Sequence, residues 1–364
     1  MTVAPIDVTA LARPEILALR PYRAATYEEG LVRLNANETP WRPPGDESAD
    51  GLNRYPEIRP AALTDRLAEL YGVDTAQVLV TRGSSEAIDL IIRCFCRPGL
   101  DDVVICPPTF GMYEVYAQVQ GADIISVPLA SDAGFAFDVD AVLEAWTERT
   151  KLVFVCSPNN PTGNSVPTAD LLRLANELRG RGIVVVDGAY LEFADADPTQ
   201  ELLEACANVI VLRTLSKALG LAGIRCGAAV AAPAIIELIG CILPPYSYPS
   251  PCQDAALACL APDNRGELRA RASKLREERQ RVAHQLQSMT GIECVWPSEA
   301  NFLLVRASTP AQMVAAAKRG GFLIRDFSWD NYTRNCLRIT IGSPDQNDRL
   351  LEALAGANSM SGAE

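Results

Sequence analysis

Seven short apolar, β-branched runs punctuate the chain between residues 78 and 231: VLVT (78–81), VVIC (103–106), IISV (124–127), LVFVC (152–156), IVVVD (183–187), VIVLR (209–213) and CGAAVA (226–231). None alternates apolar with polar, so each reads as a strand buried on both faces. Between most of them lie stretches with helical period, such as SSEAIDLIIRCFCR and TADLLRLANELRGRG. Strand and helix in alternation predict an α/β fold: a mostly parallel, seven-stranded sheet sandwiched between helices.

The flanks read differently. Residues 1–33 form an arm with one short helix, and the Pro-, Asn- and Asp-rich segment 34–60 reads as an ordered loop. A Pro-rich break at 244–251 (PPYSYPSP) precedes a long polar helix over about 263–290. Beyond it, NFLLV (301–305), a helix near 310–319, FLIRD (322–326) and LRITI (337–341) make a smaller α+β domain. The division predicted is an arm at 1–33, a large domain at 34–250 and a small domain at 251–364. No run reaches membrane-spanning length, and the N-terminus lacks the basic and apolar regions of a signal peptide, so a soluble, cytoplasmic protein is expected.

Composition narrows the chemistry. The 364 residues include 33 basic and 45 acidic side chains, a net charge of −12 that argues against nucleic acid as a partner. A single histidine, His284, lies in the charged stretch EERQRVAHQLQ, which excludes multi-imidazole metal sites and disfavours a histidine triad. The eleven cysteines are scattered with no C-x-x-C pair, and the odd count fits a reducing compartment. Lysine is rare: Lys151, Lys217, Lys274 and Lys318. Three read as solvent-facing charges. Lys217 alone follows a buried strand among small residues, where loss of solvation would free a neutral, nucleophilic amine.

In open α/β sheets, ligands bind beyond the carboxyl ends of the strands, and the residues there form a coherent set. A Gly-Ser-Ser turn (Ser84, Ser85) opens a helix whose free N–H groups suit a phosphate, and Ser216 and Arg225 can join it. Phe110 offers a stacking face. Asp187 can face a ring nitrogen, and Asn160 and Tyr190 can donate to a phenolic oxygen. Lys217 can take an aldehyde. Pyridoxal 5′-phosphate satisfies every item. No G-x-G-x-x-G or G-x-x-x-x-G-K-[ST] follows a strand, so dinucleotide and ATP readings fail.

The segments LNANETP (34–40), RYP (54–56), GSSEAI (83–88), CPPTFGMY (106–113), VCSPNNPTG (155–163), VVVDGAYLEF (184–193), RTLSKALGLAGIRCG (213–227), NFLL (301–304), LIRD (323–326) and CLRITIG (336–342) resemble, in order, the fold-type-I, class I/II pyridoxal-phosphate aminotransferases. Within them they are most similar to the histidinol-phosphate branch. The resemblance implies roles by position. Lys217 carries the cofactor and shuttles the proton, with Asp187 and Tyr190 as its catalytic neighbours. Ser84, Ser85, Ser216 and Arg225 hold the phosphate, Phe110 stacks, and Asn160 and Tyr190 hold the ring oxygen. Tyr55 reaches the active site of a neighbouring subunit, implying a homodimer. Arg338 forks a substrate carboxylate, and Arg325, Tyr22, Asn37 and Tyr246 surround the distal end. Gly188 stands where the family carries an acid, and Ser85 where it often carries aspartate.

The implied reaction is ping-pong transamination between L-histidinol phosphate and 2-oxoglutarate, with small amino and 2-oxo acids as the partners. The alternatives are an aminotransferase for aromatic or other amino acids and a decarboxylase of the threonine-phosphate type, which shares the scaffold.

Overall fold

The computed structural model describes residues 7–26, 28 and 30–356. Its larger sheet has seven strands: β1 (Val78–Thr81), β2 (Asp102–Ile105), β3 (Asp123–Ser126), β4 (Thr150–Cys156), β5 (Ile183–Asp187), β6 (Val209–Thr214) and β7 (Gly227–Ala231). They lie in the order β1-β7-β6-β5-β4-β2-β3. Every run expected to be a strand is one, but β3, at the sheet's edge, is exposed to half-buried rather than buried on both faces. All pairs are parallel except those of β7, which runs antiparallel to both β1 and β6.

The unbroken apolar runs follow from the two-sided burial. In β5, Val184 and Val186 enter the core on one face while Ile183 and Val185 enter the core on the other. β4 and β6 divide in the same way: Val153 and Val155 against Leu152 and Phe154, and Val209 and Val211 against Ile210 and Leu212. Successive strand residues point to opposite faces, so both sets must be apolar. The helix Ser84–Phe95 shows the complementary pattern. Ile88, Ile91, Ile92 and Phe95 are buried at helical spacing against the sheet.

The arm is no free tail. Val8, Ala12 and Ile16 are buried in the same core as that helix, and the Arg13 N–H donates to the Cys94 carbonyl.

A second, antiparallel sheet has four strands: β8 (Ile292–Val295), β9 (Phe302–Ala307), β10 (Arg325–Asp326) and β11 (Cys336–Thr340), in the order β10-β11-β9-β8. Helices Arg265–Gln287, Pro310–Arg319 and Pro344–Ala355 supply the rest of its core, with Val282, Met313 and Leu350 among the buried residues. The patterning missed β8, in which only Val295 is buried. It also read 244–251 as a plain break, whereas a helix starts at Ser250 and runs to Cys259, with Pro251 in its first turn, where a missing N–H costs nothing.

His284 is exposed on the helix Arg265–Gln287. Lys151 departs from its expected free exposure: it lies within β4, its ammonium 3.9 Å from Asp101. Among the described residues no helix is long and apolar enough to cross a membrane.

Candidate active site

The topology brings the strand ends together. β1 and β6 both pair antiparallel with β7, and Thr81 and Thr214 both stand opposite Gly227. The turn after β1 and the loop from β6 to β7 therefore emerge side by side, next to the parallel ends of β4 and β5. There lies a cavity of about 780 Å³, walled by Ser84, Ser85, Phe110, Asn160, Asp187, Tyr190, Ser216, Lys217, Arg225, Arg325 and Arg338 among others. Eleven of the candidates drawn from separate motifs thus share one cavity.

Its floor is built for an anion. Gly83 caps the helix Ser84–Phe95 at φ 76°, a left-handed conformation suited to glycine. A Cβ there would meet Arg225 Nη2 at 2.7 Å, and a Cβ on Gly227 would meet the Ser84 nitrogen at 2.7 Å. Both glycines let the guanidinium and β7 close onto the helix N-terminus. Ser216 Oγ accepts from Thr214 Oγ1 at 3.0 Å and from Arg225 Nη1 at 3.1 Å, so its own hydroxyl hydrogen is left to donate into the cavity. Free helix N–H groups, three serines and a guanidinium form a phosphate-sized cup.

Opposite the cup, Asp187 ends β5 at 2% exposure. Burial pushes its carboxyl above the usual range, against the pull of the Tyr113 hydroxyl, the Ala189 N–H and the Lys217 charge. The Tyr113 hydroxyl donates to Asp187 Oδ2 at 2.7 Å, and the Ala189 N–H reaches Oδ1 at 3.2 Å.

Lys217 is not sealed from water, as its sequence setting suggested. It projects into the open cavity and is exposed there. The walls still crowd it: desolvation, followed by the charges of Arg338 and Arg225, holds its amine below the usual lysine range. Its Nζ stands 5.5 Å from the Tyr190 ring centroid, and the Tyr190 ring packs edge-on against Phe302.

The SPNNPTG turn divides its two amides. Asn159 is buried and structural: its Nδ2 donates to the Pro108 carbonyl and Thr162 Oγ1, and its Oδ1 accepts from Thr109. Asn160 faces the cavity, where Oδ1 accepts from Arg338 Nη1 at 2.5 Å. That leaves the Nδ2 hydrogens for a ligand oxygen. Arg338 lies on β11, packed over Phe302 and Phe327 at 5.3 and 5.4 Å.

Four candidates lie outside this wall in the single chain. Tyr22 is 68% exposed, and Asn37 sits exposed at φ 57°. Tyr55 is half-exposed and stacks on Tyr246 with ring centroids 4.7 Å apart. The Tyr55 segment is held firmly. Its N–H donates to Glu38 Oε1 at 2.8 Å, and Arg54 and Arg33 bind the same carboxylate. Burial pushes Glu38 up, but these three partners outweigh it and the net direction is down.

Sequence reasoning missed Tyr113, Glu38 and a rim formed by Phe327, Trp329, Asp330 and Tyr332. Tyr113 stands one helical turn beyond Phe110, a usable signal. The rim carries no motif. It is pinned from beneath by Thr333, which is fully buried and bonds the Phe327 carbonyl.

Gly188 is buried, and its N–H donates to the Leu212 carbonyl at 2.9 Å. A Cβ there would meet Leu191 Cδ1 at 2.4 Å, so Leu191 occupies the space a side chain would need.

The expected cofactor fits this donor set: the cup for its phosphate, Asp187 for the ring nitrogen, Asn160 and Tyr190 for the ring oxygen, and Lys217 for the aldehyde.

The family described as aminotransferase class I and II matches residues 32–354. A histidinol-phosphate aminotransferase of Stenotrophomonas maltophilia is 42% identical over 96% of this chain and 97% of its own length. One from Yersinia enterocolitica is 40% identical over 96% and 93%. Among solved structures, the histidinol-phosphate aminotransferase of Sinorhizobium meliloti in complex with pyridoxal-5′-phosphate superposes with a TM-score of 0.75 at 26% identity, covering 84% of this chain and 82% of that one. An L-threonine-O-3-phosphate decarboxylase from Porphyromonas gingivalis shares the fold at a TM-score of 0.70 and 24% identity, covering 85% and 91%.

Proposed function

The chain belongs to the aminotransferase class I and II family, and from that premise we propose that it uses pyridoxal 5′-phosphate to exchange an amino group between L-histidinol phosphate and 2-oxoglutarate. The observation that carries the reading is the convergence of Lys217, Asp187 and the Ser84–Ser85–Ser216–Arg225 cup on one cavity. The curated relatives at 40–42% identity over nearly the full length supply the substrate.

When bound, the cofactor supplies an electron-withdrawing ring and a carbonyl carbon that accepts the amino group. The residues do the rest. Ser84, Ser85, Ser216 and Arg225 anchor the phosphate and fix the ring's position. Phe110 covers one ring face. Asp187, ionised, keeps the ring nitrogen protonated. Asn160 and Tyr190 donate to the ring oxygen. Lys217, whose amine is held below the usual lysine range by desolvation and by the Arg338 and Arg225 charges, would take the proton from the amino-bearing carbon of the substrate and hand it to the cofactor carbon that receives the amino group, the same transfer running backwards in the opposite half-reaction. Arg338 forks the α-carboxylate of glutamate, a planar geometry lysine cannot copy. Arg325, exposed at the cavity edge, binds the phosphate of histidinol phosphate.

Tyr55, Tyr246, Tyr22 and Asn37 belong to the same reading as groups offered to a second subunit. Exposed Leu31, Val32, Leu34 and Trp41 flank them, and a homodimer would bury that surface and place Tyr55 in the partner's cavity. The arm, large and small domains then correspond to 1–33, 34–250 and 251–364, and the enzyme works in the cytoplasm. The flat aromatic rim of Phe327, Trp329 and Tyr332 favours a second substrate group, aromatic amino acids.

The test is a half-reaction screen following amino-group transfer to the bound cofactor from histidinol phosphate, glutamate, phenylalanine, tyrosine and threonine phosphate. Fast transfer from histidinol phosphate and glutamate is expected. Reaction with phenylalanine and tyrosine alone would replace the substrate assignment, and carbon dioxide release from threonine phosphate would replace the reaction.

A further inference from the structure

The carboxylate that faces the cofactor ring does not stand alone, and its partner lies on a different element. Tyr113 sits in the first turn of the helix Met112–Gln120, fully buried. Its hydroxyl donates to Asp187 Oδ2 at 2.7 Å. Its ring is clamped from two sides: it stacks on Phe154 of β4 (4.8 Å between centroids, 13° between planes) and meets Phe110 edge-on (5.6 Å, 84°). One side chain thus touches the acid assigned to the ring nitrogen and the aromatic assigned to the ring face.

We propose that Tyr113 is a positioning residue for the cofactor ring: its hydroxyl holds Asp187 ionised and aimed, and its ring edge sets the tilt of Phe110. The inference rests on the pyridoxal-phosphate reading of the cavity. Asp187 is cut off from water, and a buried carboxylate tends to take up a proton. A neutral carboxyl could not keep a pyridine nitrogen protonated. The groups facing it are Tyr113 from the helix, Cys156 from β4, Tyr190 and the Ala189 N–H from the turn after β5, and Lys217 from the loop after β6. Among the described residues, Tyr113 is the one whose side chain donates a hydrogen bond to the carboxylate. Its own phenol is pushed well above the ordinary tyrosine range by burial and by the Asp187 charge, so it stays a donor throughout the working range. A histidine or water in that place would titrate or exchange; a buried phenol does neither. The clamp between Phe154 and Phe110 fixes where the hydroxyl points, which fixes the carboxylate plane.

Tyr113→Phe removes the hydroxyl and keeps both ring contacts. Three readouts follow. First, the infrared carboxyl band of Asp187 in the cofactor-free full-length chain, assigned by its loss in Asp187→Asn, appears at higher pH in the variant by about one unit, a tenfold change in ionisation constant. Second, pyridoxal 5′-phosphate, titrated with fluorescence detection, binds about ten- to a hundredfold more weakly, the size of a lost hydrogen bond to a charged group. Third, the acid limb of the glutamate half-reaction rate moves to higher pH. Should Tyr113→Phe fold poorly, 3-fluorotyrosine at position 113, a stronger donor of nearly the same size, moves the carboxyl band to lower pH instead. An unchanged band and unchanged cofactor affinity, in a wild-type background that reacts with glutamate, would overturn the role of Tyr113 alone. Absence of any glutamate reaction in the wild type would instead overturn the aminotransferase reading, while the infrared comparison would still decide the hydrogen bond.

Discussion

The Arg338 guanidinium donates to Asn160 Oδ1 across 178 residues of sequence, joining the small antiparallel sheet to the loop that leaves β4. The bond ties the residue assigned to the substrate carboxylate to one assigned to the cofactor's ring oxygen. Arg338→Ala is expected to raise the glutamate KM by about ten- to a hundredfold, the cost of losing hydrogen bonds to a charged group. Arg338→Lys should recover little of it, because a point charge cannot fork a carboxylate. Half-reaction kinetics check both, and an unchanged KM would remove the assignment.

Lys217→Ala should abolish the absorbance near the visible edge that marks cofactor attached to an amine, while pyridoxal 5′-phosphate still binds the cup. The half-reaction rate should fall by at least about 10²–10⁴-fold, the usual share of a positioned base. A spectrum that survives in Lys217→Ala would point to Lys151, Lys274 or Lys318.

Burial holds the Asp187 carboxyl above the ordinary aspartate pKa of about 3.8. A group whose folded pKa is raised favours folding in its protonated form. Its contribution is complete below about pH 3.8 and is lost as pH rises through the raised value. Asp187→Asn removes that loss. The cofactor-free variant should therefore melt higher than wild type at pH 7, with the gap closing as pH falls toward 4, and should transfer no amino group. Thermal melts across this pH range, beside the half-reaction, test the pair of effects; a variant that melts lower at pH 7 contradicts the buried-charge argument.

If Tyr55 serves the partner's cavity, two dead homodimers should revive each other. Tyr55→Phe and Lys217→Ala, unfolded together and refolded in equal amounts, should regain about a quarter of the wild-type active sites by random pairing in a twofold assembly. Mixtures no more active than their parents would place Tyr55 outside the neighbouring site.

Gly188→Glu supplies the acid that the family resemblance implies at this position, yet Leu191 already fills the space. The substitution alone should cost about 1–3 kcal/mol through overpacking. In a Leu191→Ala background the cost should shrink, since the two positions share one space. Denaturant melts of the four variants measure the coupling.

The large sheet was legible because six of its strands are buried on both faces and so had to be apolar at consecutive positions; only the edge strand β3 is exposed to half-buried, and its short apolar run still marked it. The cavity floor was legible for a related reason. Chemistry placed at the carboxyl ends of parallel strands falls directly after each apolar run, where Ser84, Asp187 and Lys217 all stand. What escaped had weaker local causes. β8 is half-exposed and short, so nothing in Ile292–Val295 separates it from a loop. Tyr113 follows Phe110 by one helical turn, but its hydrogen bond to Asp187, 74 residues away, is a contact that spacing alone does not encode. Glu38 looked like one more polar residue of a loop, although three partners from two segments close around it. The hydration of Lys217 was misjudged because its strand is buried while its side chain enters a hollow.

Gly227 has room for nothing beyond a hydrogen atom: a methyl would strike the Gly83 carbonyl carbon, the Ser84 nitrogen and the Arg213 oxygen, all within 2.8 Å. The anchoring end of the pocket is therefore rigid against sequence drift, whereas the rim at 327–332 is held mainly by backbone hydrogen bonds such as that from the Phe327 N–H to the Cys336 carbonyl, so its exposed Trp329 and Tyr332 side chains can be rewritten. Any broadening of what this enzyme accepts would have to arise at that outer edge, leaving the grip on its prosthetic group untouched.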